Sequence, residues 1–258
     1  AIVLPNGPDM AVAFVALSGS VIAAPLNPAF REDEFRFYMQ DLDVKALVVE
    51  KASASPAVAA AKSLGIPVMS FADLVLETSA RGETNHPGLV GKDEVALALH
   101  TSGTTSRPKI VPLTQGNLVA SAMNIASTLR LKESDRCLNI MPLFHIHGLV
   151  AALLATLSSG GSVYCTTGFS ALKFFGQLDA AKPTWVTAVP TMHQAILSRS
   201  DRNEAVIKAN RLKFIRSSSA SLPVPVFNQL ELVFGCPVIE AYAMTENAHQ
   251  MTSNQLPP

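Results

Sequence analysis

The stretch His100-Thr101-Ser102-Gly103-Thr104-Thr105-Ser106-Arg107-Pro108-Lys109 decides how the rest of the chain is read. Six of its ten residues are Ser, Thr or Gly, and it closes on Arg-Pro-Lys. Small side chains let backbone N–H groups approach phosphate oxygens, and hydroxyls add further donors. Lys109 brings a point charge and Arg107 a planar fork. The apolar run Val95-Ala96-Leu97-Ala98-Leu99 predicts a buried strand that opens into this loop. Together these features suit a polyphosphate. On composition alone, a polar surface turn accounts for the loop equally well. A Walker A loop is excluded, because it needs a second glycine and a Lys-Ser/Thr pair; here Ile110 follows the lysine.

On the N-terminal side the pattern predicts a helix from Met10 to Val21 capped by Asp9. A second helix, about Glu32 to Leu42, carries Phe35, Tyr38 and Met39 on one face. A strand at 45–50, an Ala-rich helix at 56–64 and a strand at 66–71 follow, then a polar linker at about 78–92. On the C-terminal side Ile110 to Leu113 is a short strand, and Thr114 caps a helix to about Leu129. Strands at 137–141, 161–166, 184–189, 212–216 and 237–241 alternate with helices to Ser158, at 171–181, from Pro190 and at 224–234. This alternation predicts an α/β fold of mainly parallel sheets flanked by helices. Three polar clusters then follow predicted parallel strands: 101–109, Ser217 to Ser221, and Tyr242 to Asn247. His145 lies at a fourth strand end. The carboxyl edge of such a sheet is where ligands bind.

A length of 258 residues gives enough chain for a substantial core. With 48% apolar and 16% charged residues, disorder is excluded. The net charge of zero leaves no global field for nucleic acid, so a phosphate site must be local. Cys137, Cys165 and Cys236 show no metal spacing and read as reduced thiols, which fits a cytoplasmic location. The apolar stretch Met10 to Leu26 is broken by Ser18-Gly19-Ser20 and Pro25, so no membrane span is expected. The chain opens on Ala1-Ile2-Val3-Leu4, a strand already under way, and is expected to be part of something longer.

Three motifs occur in one order: Thr101 to Lys109, Pro142-Leu143-Phe144-His145, and Tyr242-Ala243-Met244-Thr245-Glu246. In this the chain resembles the adenylate-forming superfamily of acyl-CoA synthetases, luciferases and peptide-synthetase adenylation domains. Within it, the Ser106-Arg107 pair looks like that of small-acid CoA ligases of the oxalate–CoA ligase type. The resemblance implies most of the large N-terminal domain of such an enzyme, truncated before a small domain with a catalytic lysine. The implied reaction joins a carboxylic acid to ATP as an acyl adenylate, then to CoA, with Mg²⁺ on the phosphates. Thr101, Ser102, Gly103, Thr104, Thr105 and Lys109 would hold the β- and γ-phosphates. Thr245 would bond the α-phosphate and Glu246 would bind Mg²⁺. Adenine would lie between Ser218, Ser219 and Ala220 on one side and Tyr242 on the other, with Glu240 and Ala241 also on the nucleotide. His145 would stand between the acid and the α-phosphate, and His147 reads as structural.

Serines in the 217–221 loop and His249 suit a small acid with a second carboxylate, such as oxalate, whereas a long or aromatic acid wants an apolar slot. Ser219 and His249 are the expected readers of that second carboxylate. Ile110 stands where relatives have Gly, and Tyr242-Ala243 replaces Tyr-Gly. An aromatic acid–CoA ligase of the 4-coumarate type is the alternative within the class. A nucleotide-binding fragment without turnover is the alternative outside it. A peroxisomal address would sit at the true C-terminus.

Overall fold

The computed structural model describes residues 1–72, 75–77, 88–101 and 108–257. The chain divides into two compact units, Ala1–Gly116 and Asn117–Pro258, and each is taken by itself. Among the described residues no helix is long and apolar enough to cross a membrane.

The first unit runs β1 (Ile2–Val3), α1 (Pro8–Ser18), α2 (Glu32–Asp41), β2 (Leu47–Glu50), α3 (Pro56–Ser63), β3 (Val68–Ala72), β4 (Val75–Glu77), β5 (Val95–Thr101) and β6 (Lys109–Thr114). Strands β1, β2 and β3 pair in parallel, and β4 adds antiparallel to β3. Phe35 and Met39, one turn apart on α2, pack with Ala57, Ala60 and Ala61 of α3 against Leu47 and Val49. The alanines let α3 approach closely, and Ser55 caps it by accepting from the Ala57 N–H at 3.2 Å. The expected Asp9 cap is not used. Pro8 takes the first helical position, where its missing N–H costs nothing, so the helix starts earlier, after Gly7. Of the polar segment 78–92, residues 78–87 lie outside the described residues.

One expectation is corrected here. Strand β5 does not join a parallel sheet; it pairs antiparallel with β6, from Val95 opposite Thr114 to Thr101 opposite Lys109. Its parallel pairing is limited to an isolated bridge, Ala23 to Leu97. The reason is chain length: a parallel crossover needs a dozen or more residues, and the link 102–108 is too short.

The second unit follows most of α4 (Gln115–Thr128) with β7 (Arg136–Asn139), a π-helix (His147–Leu154), α5 (Ala155–Ser158), β8 (Ser162–Cys165), α6 (Phe174–Ala181), β9 (Trp185–Ala188), α7 (Pro190–Leu197), α8 (Glu204–Ala209), β10 (Phe214–Ser218), α9 (Val224–Phe234), β11 (Val238–Met244) and β12 (His249–Ser253). Its sheet has the order β12-β11-β10-β9-β7-β8, parallel apart from β12. The sheet's two faces follow from the strand period of two. Leu138, Val186, Ile215 and Val238 share one face and pack with Phe174, Phe175, Leu178, Ile196, Leu230 and Phe234 from the helices. The other face carries Asn139, Trp185, Thr187, Phe214 and Arg216. There, the Asn139 amide donates to the Gly148 carbonyl at 3.2 Å, which seats the start of the π-helix.

Candidate nucleotide and acid site

In the first unit, the register holds the two ends of the hydroxyl-rich loop together: Thr101 closes β5, Lys109 opens β6, and the two are cross-strand partners. Both are therefore strand residues, and Lys109 is exposed. Ser102, Gly103, Thr104, Thr105, Ser106 and Arg107 lie outside the described residues. The strand end is anchored one residue earlier. His100 Nε2 meets Asp41 Oδ2 at 2.8 Å, and its ring stands edge-on to Tyr38 at 4.6 Å.

In the second unit, the Ser217-to-Ser221 stretch is divided by the strand. Ser217 and Ser218 belong to β10 and are buried rather than lying in a loop. Ser218 Oγ donates to the Ala241 carbonyl at 2.8 Å, tying β10 to β11. Ser219 leaves the strand in the left-handed region, φ 74°, and is exposed. Ser219, Ala220, Glu240, Ala241 and Tyr242 then line one cleft of about 470 Å³, a volume typical of small-ligand sites. Tyr242 is 63% exposed, so its ring is free to act as a platform. Glu240 shapes the rim, its Oε1 accepting from the Leu222 N–H at 3.4 Å.

Beyond β11, Thr245–Asn247 form one 3-10 turn. Ala248 (φ 51°) and His249 (φ 100°) are left-handed without being glycine. Such strain persists only where surrounding contacts over-determine it. Here the Ala248 N–H donates to the Thr245 carbonyl at 2.9 Å, and Ser121 Oγ donates to the Ala248 carbonyl at 2.6 Å. The turn leaves Glu246 exposed and drives His249 fully inside. Among the described residues, Glu246 makes no hydrogen bond or ion pair. A single free carboxylate fits Mg²⁺, which takes one or two carboxylates and completes its shell with phosphates and water.

The least expected feature is His147. It opens the π-helix and is fully buried. Its Nε2 meets Thr187 Oγ1 at 2.6 Å and its Nδ1 meets Ser219 Oγ at 3.0 Å. Its ring lies 4.8 Å from that of His249. Gly148 fixes the turn, because a Cβ there would stand 2.3 Å from the Pro142 carbonyl oxygen. Burial first, and then the Arg216 charge, hold both imidazoles well below their ordinary pKa. His147 is therefore neutral, with one donor and one acceptor nitrogen. Of the Thr187 and Ser219 hydroxyls, one donates to the ring and the other accepts. His145 is exposed, although crowding still lowers its pKa.

The structure thus brings Ser219 into two sets at once: the cleft with Ala220, Glu240, Ala241 and Tyr242, and the buried group with His147 and His249. Thr187, Arg216 and Gln250 belong to the second set and were not read from the sequence. The available signals were the His-x-His spacing and a charge inside the apolar run Phe214-Ile215-Arg216.

The whole chain, residues 1–258, matches the family described as AMP-binding enzyme. It is 44% identical, over its full length, to an oxalate–CoA ligase of Arabidopsis thaliana and 39% identical to one of Saccharomyces cerevisiae. It spans 52% of each, about half the length of these relatives. A solved malonyl-CoA ligase, in a ternary product complex with methylmalonyl-CoA and AMP, superposes with a TM-score of 0.82 at 28% identity. That match covers 98% of this chain and 54% of the other.

Proposed function

The chain belongs to the family of AMP-binding enzymes, and from that premise we propose that it is the nucleotide- and acid-binding part of an ATP-dependent acid–CoA ligase acting on a small dicarboxylic acid, with oxalate the first choice. The observation that carries this reading is the double membership of Ser219, at once a wall of the Tyr242 cleft and the partner of buried His147. It gives a nucleotide platform and an acid-reading group a common residue. The oxalate assignment is supported by the names of the Arabidopsis and yeast relatives.

The chemistry sets the requirements. A carboxylate oxygen attacks the α-phosphorus, pyrophosphate leaves, and a CoA thiol then displaces AMP from the acyl carbon. The barrier is an anion approaching a polyanion, which preorganised donors lower. Lys109, exposed beside Thr101, is the cation assigned to the outer phosphates. Thr245 is assigned to the α-phosphate, and Glu246 to the Mg²⁺ that neutralises the triphosphate when bound. Tyr242 offers adenine a stacking face. Neutral His145 orients the acid without adding a second cation. Ser219 and His249 are assigned to the far carboxylate.

The test is ATP–pyrophosphate exchange by the full-length protein across oxalate, malonate, acetate, butyrate and 4-coumarate. Exchange strongest with the dicarboxylates is expected. Ser219→Ala and His249→Ala variants with an unchanged preference for two carboxylates over one would remove the acid assignment.

A further inference from the structure

We propose that Arg216 is the residue that makes this acid site prefer a doubly charged acid, acting as a buried fixed charge through His147, His249 and Ser219. The proposal rests on the acid–CoA ligase reading and adds a determinant to it.

Arg216 is 0% exposed. Its Nη2 donates to Gln250 Oε1 at 3.0 Å, while Nε and Nη1 have no partner. No carboxylate pairs with it among the described residues. The groups around it add no negative charge. Thr187 is its cross-strand partner on β9 and bonds the His147 ring. His249 precedes Gln250 and has both ring nitrogens without partners. A buried charge without a counter-charge is strongly unfavourable, and an apolar side chain of similar volume is often more stable in such a place. The group is a net positive charge surrounded by unused donors and lacking an anion. What complements it is a small anion with several acceptor oxygens.

Ser219 supplies the route outward. It is exposed, and its Oγ lies on His147 Nδ1. A carboxylate held by the Ser219 hydroxyl gains from the charge beneath. A monocarboxylic acid would set a methyl or alkyl group there and leave the charge uncompensated, which is how buried polar sites reject analogues lacking the matching group.

The test compares Arg216→Met, Arg216→Gln and Arg216→Lys in the full-length protein, by pyrophosphate exchange with oxalate and malonate against acetate and butyrate. Loss of the charge is expected to lower the dicarboxylate-to-monocarboxylate ratio of kcat/KM about tenfold or more, through KM of the dicarboxylates. Arg216→Lys, which retains the charge, is expected to restore most of the ratio. A folded Arg216→Met or Arg216→Gln variant with the wild-type ratio overturns the proposal. If neither neutral variant folds, thermal stabilisation of the wild type decides: oxalate must stabilise more than acetate at equal ionic strength, and equal stabilisation overturns it. Failure of the underlying reading looks different, since the wild type then exchanges pyrophosphate with no acid at all.

Discussion

Acidification should unfold the second unit early, and the buried imidazoles set how much. His147, His193 and His249 are each 1% exposed or less. Burial holds His193 at a pKa of about 4 and the other two well below the ordinary value of 6.5. In the unfolded chain all three take up protons below about 6.5, while the folded unit does not. The unfolded state therefore binds more protons, and stability falls as pH drops from 6.5 toward 4. From pH 7 to pH 5 each imidazole that stays neutral in the folded unit contributes about 2 kcal/mol, so the three together remove about 6 kcal/mol. Ordinary carboxylates titrate mostly below this window. The chain's one tryptophan, Trp185, is fully buried and stacked on Phe214 at 5.4 Å, so its fluorescence reports this unit. Urea unfolding followed by that fluorescence should show the loss, and His193→Gln should reduce the slope by about a third. A loss under about 1 kcal/mol between pH 7 and 5 would refute the reasoning.

Three further outcomes are expected. Gly148→Ala should destabilise the second unit by about 1–3 kcal/mol in the same urea assay, because its methyl would meet the Pro142 carbonyl. Lys213→Met strips the partner at 2.5 Å from Asp135, which is 1% exposed and whose carboxyl stays below the usual range despite the burial that raises it, through hydrogen bonds from Lys213 and Thr184. It should cost about 1–3 kcal/mol at neutral pH, less than for a fully buried pair since Lys213 is half exposed, with the difference closing below pH 4 as the carboxylate protonates. Tyr242→Ala should leave the urea midpoint unchanged, because the ring is exposed. In calorimetry it should weaken AMP binding by about 1–3 kcal/mol.

How much of this was legible in the sequence depends on whether the deciding signal is local. Helix α9 has the bounds that its pattern gives, Val224 to Phe234, because a Pro-rich start and Gly235 punctuate it. The pairing of β5 was misread because an apolar run gives burial but not direction; the shortness of 102–108 held the answer. Strand β12 escaped because His249-Gln250-Met251-Thr252-Ser253 lacks apolar alternation, and the turn before it uses left-handed Ala248 and His249 without glycine. The π-helix is hidden in a run, Gly148 to Leu154, that is apolar all round and so has no period to measure. Of the site, Ser219, Ala220, Glu240, Ala241 and Tyr242 were grouped through the resemblance alone, and they line one cleft because β10 and β11 are adjacent and end together. The His147–Thr187 and Arg216–Gln250 contacts span 40 and 34 residues of chain. Nothing local marks either pair.

The same strand alternation that builds the core also builds the proposed acid site, and that coupling fixes the register of β10. Ile215 faces Val186 and Val238 within the helix-covered core, while Arg216 faces Thr187 on the opposite side. A slip of one residue would turn Arg216 into the cluster of Phe174, Leu178 and Ile196, and Ile215 toward His147. The slipped form would bury a cation among side chains with no acceptor at all. It would also remove the Gln250 acceptor and the Ser218 bond to Ala241 together. Arg216 is thus uncomfortable where it stands and far worse one step away. A residue that weakens the free protein in this way still specifies how its strand is placed, so replacing it by methionine tests register as well as recognition.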